Sequence, residues 1–98
     1  MLGQKLRVKY PDRVPVIVES KDIDISHKKY LVPSSHNIAQ FMAMLRTQAS
    51  VDNKEALFLL INNTLVPNNV QFSTVYESYK NADDEILYIY LSKENTFG

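Results

Sequence analysis

The sequence contains no cysteine, no tryptophan and only two glycines in 98 residues. Without cysteine it can form no disulfide, no thiolate metal site and no cysteine nucleophile. Two glycines are too few for a glycine-rich phosphate-binding loop. No apolar run approaches the roughly 20 residues that a membrane-spanning helix needs. Lysine and arginine interrupt every apolar stretch near the amino terminus, which no secretion signal would allow. We therefore expect a cytoplasmic chain.

Charge of one sign is not in excess either, because 11 basic residues are matched by 11 acidic ones. Domains that bind nucleic acid usually carry a basic excess, so this balance predicts no nucleic acid partner. Apolar residues make up 45% of the chain, which is enough for a globular core. A length of 98 residues suits one domain that spans 1–98.

The two histidines are the best candidates for chemistry, and neither predicts a catalytic site. His27 lies near Asp22 and Asp24 in a polar stretch. A surface turn is favoured there over a weak metal site, because three ligands in such a stretch rarely converge. His36 stands beside two serines at the start of a predicted helix, and a neighbour of the helix cap is favoured over a Ser-His pair. We expect no enzyme, no catalytic residue, no metal and no cofactor.

Four short runs rich in β-branched or aromatic residues predict strands. They span 14–18, 28–32, 56–61 and 86–91. The first two are close enough in sequence to form a hairpin. Pro15 cannot donate a ladder hydrogen bond, so it should lie where its side of the strand is unpaired.

Two segments repeat apolar residues at the helical spacing i, i+3, i+4 and i+7. The stripe residues are Ile38, Phe41, Met42 and Leu45 in the first and Phe72, Val75, Tyr76 and Tyr79 in the second. Ser34 and Ser35 can cap the first helix, which runs to about Gln48. The order of elements predicts an α+β β-grasp domain with a mixed four-stranded sheet, one main helix and one short helix.

The two ends of the chain and one turn complete the pattern. Residues 1–12 show only a weak alternation at Leu6, Val8 and Tyr10, which predicts an extended or poorly ordered arm. Asn62 and Asn63 tolerate a positive φ and suit a tight turn. Residues 92–98 are a polar, flexible tail.

Six stretches together carry a specific resemblance. They are RVPVI (13–17), KYLVP (29–33), QF (40–41), KEALF (54–58), NNTL (62–65) and ENTFG (94–98). On these stretches the chain resembles the autophagy ubiquitin-like modifiers, the autophagy-eight family of the light-chain-three and GABA-receptor-associated-protein kind. The resemblance implies a ubiquitin-like β-grasp fold. It also implies a shortened amino-terminal arm, since family members usually carry two short helices before the first strand.

The resemblance implies that Gly98 is the site of lipid conjugation. In that family the terminal glycine is activated by an ATP-using enzyme and passed to a conjugating enzyme. It is then joined to phosphatidylethanolamine on the autophagosome membrane, and a cysteine protease can remove it. Phe97 and Gly98 would be recognised by these enzymes. Glycine has no Cβ to obstruct a narrow enzyme channel, and two acyl chains on one lipid anchor firmly. We expect a monomer in solution.

The resemblance also implies capture of cargo receptors through peptides with an aromatic residue and, three positions on, an aliphatic one. The peptide would add a strand to the edge of the 28–32 strand. The implied aromatic pocket consists of Pro15, Ile17, Lys29, Leu31 and Ile86. The implied aliphatic pocket consists of Tyr30, Val32, Pro33, Phe41 and Met44. Arg13 and Lys28 would meet acidic residues that flank the motif. Lys29→Glu or Phe41→Ala should weaken binding and leave the fold intact.

Two other functions stay open. The chain could be a modifier that is attached to a protein lysine, although the ENTFG string argues against this. It could also be a peptide-binding adaptor that is never conjugated, whose binding would survive loss of Gly98. For Ile17, Val32 and Phe41 a plain core role is the alternative to a pocket role, and their joint placement around one strand edge favours the pocket.

Overall fold

The structure, a computed structural model, describes residues 2–20, 23, 25, 28–48 and 56–93. Over these residues the chain forms three helices and five strands. In chain order they are α1 (Leu2–Lys9), β1 (Arg13–Ser20), β2 (Lys29–Pro33), α2 (Ile38–Gln48), β3 (Phe58–Ile61), β4 (Thr64–Leu65), α3 (Phe72–Tyr79) and β5 (Leu87–Ser92). His27 with Asp22 and Asp24, and the tail 94–98, lie outside the described residues.

The strands form one mixed sheet in the order β2-β1-β5-β3-β4. Strand β1 pairs antiparallel with β2 and parallel with β5, which confirms both the predicted hairpin and the mixed β-grasp sheet. Pro15 lies opposite Leu31, and the pairing of β1 with β5 begins one residue later, at Val16 and Leu87. The ladder therefore needs no donor at Pro15, as predicted.

The described part of the sheet has five strands, so the prediction of four strands was wrong. The additional strand, β4, pairs Leu65 with Leu60 and Thr64 with Ile61. Asn62 and Asn63 connect β3 to β4 with φ angles of 52° and 61°, which confirms the predicted turn. Two central residues at positive φ match the twist of a tight hairpin. A strand of two residues is too short to show any alternation in the sequence.

Residues 2–9 form helix α1, so the prediction of an extended or poorly ordered arm at 1–12 was also wrong. The prediction relied on the alternation of Leu6, Val8 and Tyr10, which is typical of a strand. In the structure Val8 is 84% exposed and shares no buried face with Leu6, so this alternation does not mark a strand. The spacing of Leu2, Leu6 and Tyr10 at i, i+4 and i+8 is the helical signal that the sequence does contain.

Tertiary contacts hold α1 against the rest of the domain. The Arg7 guanidinium donates hydrogen bonds to the backbone carbonyls of Pro11 and Arg13, at 2.9 and 2.7 Å. The same guanidinium lies 5.3 Å from the centre of the Tyr76 ring, a cation–π distance. A helix of eight residues is marginal by itself, so these contacts stabilise it.

The core lies between one face of the sheet and helices α2 and α3. It contains the inward residues of β1, namely Val14, Val16 and Val18, with Leu87, Ile89 and Leu91 of β5. All four predicted stripe residues of α2 are buried. In α3, Phe72, Val75 and Tyr76 are buried, whereas Tyr79, the last residue of the helix, is 38% exposed.

The cap of α2 is Asn37, and the predicted serine caps were wrong. The Gln40 amide donates to Asn37 Oδ1 at 2.9 Å, and the Asn37 amide donates to Gln40 Oε1 at 2.8 Å. This reciprocal pair satisfies two backbone donors at the helix start. Ser34 instead extends the β1–β2 hairpin, because its amide and its hydroxyl both donate to the Asp12 carbonyl.

We expect Asn37→Ala to lower the free energy of unfolding by about 1 kcal/mol, because it removes the cap. Urea unfolding followed by circular dichroism measures this loss. Ser35→Ala is the matched control, since Ser35 is an exposed turn residue two positions earlier. A Ser35→Ala loss equal to that of Asn37→Ala would contradict the assignment of the cap.

Candidate functional site

Strand β2 is an edge strand, and its outer side carries backbone groups that do not bond β1. The Val18 amide donates to Lys28 O at 2.8 Å, and the Ser34 amide donates to Asp12 O at 2.9 Å. In an antiparallel ladder the bonded positions alternate, so the even-numbered residues of β2 bond β1. The amides and carbonyls of Lys29 and Leu31 consequently face away from the sheet.

Two of the outward groups on β2 already have partners within the chain. Arg13 Nη1 donates to the Leu31 carbonyl at 3.2 Å. The His36 amide donates to the Pro33 carbonyl at 3.0 Å. Pro33 has no N–H, so the outward ladder ends there. Within the part of the chain that the structure describes, the Lys29 amide, the Lys29 carbonyl and the Leu31 amide form the part of the edge that is open to an added strand.

A cavity of about 440 Å³ lies on one side of this edge. Its lining residues are Leu6, Pro15, Val16, Ile17, Lys29, Tyr30, Leu31 and Ile86. The β1–β2 register creates it, because the cross-strand pairs Pro15–Leu31 and Ile17–Lys29 share the sheet face opposite α2. All five residues that the sequence assigned to an aromatic pocket are in this lining. An apolar cavity of this size accommodates an aromatic side chain.

Leu6 is a wall of this first cavity that the sequence analysis missed. It lies on α1, which was predicted to be an extended or poorly ordered arm. Only the docking of α1 brings Leu6 over β1 and β2. The helical spacing of Leu2, Leu6 and Tyr10 is the signal that could have suggested it.

A second cavity of about 330 Å³ lies on the other side of β2, next to α2. It is lined by Arg13, Tyr30, Leu31, Val32, Pro33, His36, Gln40, Phe41 and Met44. All five residues assigned to an aliphatic pocket are present. Met44 is off the buried stripe of α2 and only half-buried, which places its flexible thioether at the surface of the cavity. Tyr30 and Leu31 line both cavities, so β2 separates them.

Three residues had a core interpretation as the alternative to a pocket role. Val32 and Phe41 are 4% and 2% exposed and belong to the core, while they also form part of the second cavity. Ile17 is half-buried and lines the first cavity. The two interpretations are therefore compatible for residues at the boundary between core and cavity.

Phe41 packs edge-to-face against Tyr30 and Phe72, with ring centres 5.5 and 5.1 Å away. Phe41 therefore packs in the core as well as in the cavity wall, so Phe41→Ala should lower stability as well as weaken binding. We expect this change to lower the free energy of unfolding by about 3–5 kcal/mol, the usual loss for a core Phe→Ala change. Urea unfolding measures it. Met44→Ala, which alters the same cavity at a half-buried position, should lower the free energy of unfolding much less. An equal loss of stability in the two variants would contradict the core role of Phe41.

Positive charge lies at one end of the site and at its rim. Arg13 lines the second cavity, and its hydrogen bond to the Leu31 carbonyl holds the guanidinium beside the β2 edge. Lys28 is exposed and lines neither cavity, although it directly precedes the edge strand. Lys29 is exposed and lines the first cavity.

Other kinds of site find no support in the described residues. Among them, no group of three or more His, Asp or Glu side chains is arranged to hold a metal ion. His36 lies in the lining of the second cavity. Phe97 and Gly98 fall outside the residues that the structure describes, so the conjugation site stays a prediction from the sequence.

The described residues thus form a β-grasp fold in which the edge strand β2 lies between two cavities. The family model described as "Autophagy protein Atg8 ubiquitin like" matches residues 2–98. The chain belongs to the Atg8 family. It is thus a ubiquitin-like protein of autophagy, and the resemblance stated from the sequence is confirmed.

Individual relatives of the Atg8 family agree with this. Autophagy-related protein 8 of Schizosaccharomyces pombe is 43% identical over 100 residues, which cover 98% of this chain and 82% of the relative. Autophagy-related protein 8a of Arabidopsis thaliana is also 43% identical, over 98% of this chain and 81% of the relative. The crystal structure of Trypanosoma brucei ATG8 superposes with a TM-score of 0.86 at 37% identity, covering 98% of this chain and 85% of that one.

A helix that crosses a membrane needs roughly 20 mostly apolar residues. No helix in the described part of this chain is long and apolar enough to do so.

Proposed function

We propose that this Atg8-family protein binds extended peptides that carry an aromatic residue and, three positions on, an aliphatic one. The observation that supports the proposal best is the open outer edge of β2 between two apolar cavities. A peptide strand laid along this edge bonds the Lys29 and Leu31 backbone groups. Backbone bonds supply affinity, and the cavities on either side of β2 supply specificity for the two anchors.

The charges around the site favour a motif with acidic neighbours. Arg13 and Lys29 lie in the linings of the two cavities, and Lys28 is exposed at the start of the edge. Acidic residues beside the aromatic anchor would meet these side chains at the rim. Such rim charges raise the association rate and the specificity more than they raise the affinity. Receptors with acidic flanks are therefore the proposed peptide partners.

The Lys29 side chain has two roles in this proposal. Lys29 is exposed and lines the first cavity, and a lysine in such a place can cover apolar surface with its aliphatic stem while its ammonium group stays in solvent. Lys29→Glu removes the stem's cover and places a negative charge beside an acidic peptide. We expect the dissociation constant to rise by about tenfold, since 1.4 kcal/mol corresponds to that factor. Calorimetric titration with a synthetic acidic peptide that contains one aromatic and one aliphatic anchor measures this.

Lys5→Glu is the matched control, because Lys5 is exposed on α1 and lines neither cavity. It makes the same charge change and should leave the dissociation constant unaltered. A second control is the same peptide with both anchors replaced by alanine, which should not bind wild-type protein. Equal binding of the intact and the anchor-free peptide would overturn the proposed site.

The second half of the proposal is conjugation through Gly98 to phosphatidylethanolamine. Membership of the Atg8 family and the ENTFG string at 94–98 support it. The proposed partners are the activating and conjugating enzymes of the autophagy ubiquitin-like system and a deconjugating cysteine protease. The protein would then be cytoplasmic when free and bound to the autophagosome membrane when lipidated. Reconstituted conjugation to liposomes tests this half separately from peptide binding.

A further inference from the structure

Gly3 lies unusually close to the backbone of the turn that precedes β5. Its amide donates a hydrogen bond to the Asp84 carbonyl at 2.9 Å. A Cβ added to Gly3 would overlap the Asp84 carbonyl oxygen and would stand 2.5 Å from that of Glu85. Both atoms belong to the backbone, so no flexible side chain can move aside. Only glycine allows α1 to approach the turn this closely.

The turn that receives Gly3 is itself held in place. Asn81 Oδ1 accepts hydrogen bonds from the amides of Asp83 and Asp84, at 2.8 and 3.3 Å. The Ile86 amide donates to Asp84 Oδ1 at 2.9 Å. Glu85 adopts a φ of 54°, a conformation that a non-glycine residue keeps only where its surroundings fix it. The two carbonyls that face Gly3 therefore cannot retreat from an added side chain.

Two more hydrogen bonds tie this turn to the core and to the sheet. The buried Tyr76 donates its hydroxyl to the Glu85 carbonyl. The Tyr88 hydroxyl donates to the Asp84 carboxylate, and this bond, with that of the Ile86 amide, lowers the pKa of Asp84. The carboxylate is consequently ionised at neutral pH and remains an acceptor for both donors.

Gly3 and the turn that it contacts are each followed, within three residues, by a residue that lines the first cavity. Leu6 follows Gly3 by three residues, which places the two on one face of α1. Ile86 follows Glu85 directly and lines the same cavity as Leu6. We propose that Gly3 is a positioning residue that sets the distance between the Leu6 and Ile86 walls and thereby the width of the cavity for the aromatic anchor. This inference rests on the proposed peptide-binding function.

A side chain at position 3 separates α1 from the turn. Alanine is a better helix former than glycine, so α1 itself does not lose helix propensity in Gly3→Ala. The helix instead shifts outward and takes Leu6 with it, which opens the cavity on the side of Ile86. The aromatic anchor then loses one apolar wall, while the β2 edge and the second cavity keep their geometry.

The test is a double-mutant cycle on peptide binding with Gly3→Ala, Leu6→Ala and the combined variant. We expect each single change to raise the dissociation constant of the motif peptide by about tenfold. The combined variant should lose no more affinity for the peptide than the more damaging of the two single changes, because both changes remove the same wall of the cavity. Lys5→Ala on the exposed side of α1 is the control and should bind like wild type. Losses that multiply in the combined variant would overturn the proposal.

Asp84→Ala covers the case in which Gly3→Ala folds poorly. This change removes the carboxylate that accepts hydrogen bonds from Ile86 and Tyr88, so the turn can move away from Gly3. It should lower the affinity for the peptide less than Gly3→Ala does, and it should cause no additional loss of affinity when it is combined with Leu6→Ala. If Gly3→Ala or Asp84→Ala is well folded and binds the motif peptide with wild-type affinity, the inference about Gly3 is overturned, whereas the proposed peptide site is not. Failure of wild-type protein to bind the motif peptide overturns the proposed function itself, so the two failures are distinguishable.

Discussion

Leu31→Pro is expected to raise the dissociation constant for the motif peptide by about thirtyfold or more, which corresponds to ~2 kcal/mol. The Leu31 amide faces away from β1, so its loss removes no bond of the β1–β2 ladder. It does remove one of the three open backbone groups on the edge. The pyrrolidine ring also occupies the space through which an added strand must approach.

The fold should survive this change, because proline is tolerated in an edge strand where its nitrogen faces outward. Leu31→Val is the matched control, since it keeps the amide and an apolar side chain in the same strand. Titration of both variants with the same peptide separates the amide from the side chain. Equal losses in the two variants would show that the Leu31 side chain, and not the backbone edge, carries the affinity.

Gly98→Ala is expected to reduce conjugation to phosphatidylethanolamine by at least about a hundredfold, the effect of a small misplacement at a reacting group. In the proposed reaction the added methyl group would stand beside the carboxyl carbon that the activating and conjugating enzymes must reach. Reaction with these enzymes, ATP and liposomes, followed by mass spectrometry, measures the lipid adduct. A known Atg8 protein in the same reaction shows that the enzymes are active.

Peptide binding, measured on the same variants, tests the proposed peptide site independently of the proposed conjugation through Gly98. The cavities are lined by residues between Leu6 and Ile86, so Gly98→Ala should bind the motif peptide like wild type. Conjugation of Gly98→Ala at the wild-type rate would contradict the assignment of the attachment site. Wild-type protein that binds the peptide but is never conjugated would instead be an unconjugated adaptor.

The sequence by itself determined the elements that have strong local patterns. The stripe of α2 at Ile38, Phe41, Met42 and Leu45 and the β-branched run of β1 each bury one continuous face, so their periodicity is visible without a fold. The Asn62-Asn63 turn was equally readable, because few residues accept positive φ twice in succession. The KYLVP and ENTFG strings then pointed to the family.

The tertiary structure alone decided the features that depend on contacts between distant segments. Helix α1 has few apolar residues and is held by Gly3 and Arg7 against residues outside it, which no local pattern records. For the same reason Leu6 was missed as a wall of the first cavity. Strand β4 is too short for a pattern, and it exists through its pairing with β3.

The division of β2 into an inner and an outer side was also beyond the sequence. KYLVP predicts a strand, but only the pairing with β1 shows that the Lys29 and Leu31 backbone groups face outward and that Tyr30 and Val32 bond inward. Phe41 could be assigned to a pocket from the resemblance, yet its burial against Tyr30 and Phe72 depends on how α2 and α3 pack. Local periodicity fixes which residues share a face, whereas packing decides what that face contacts.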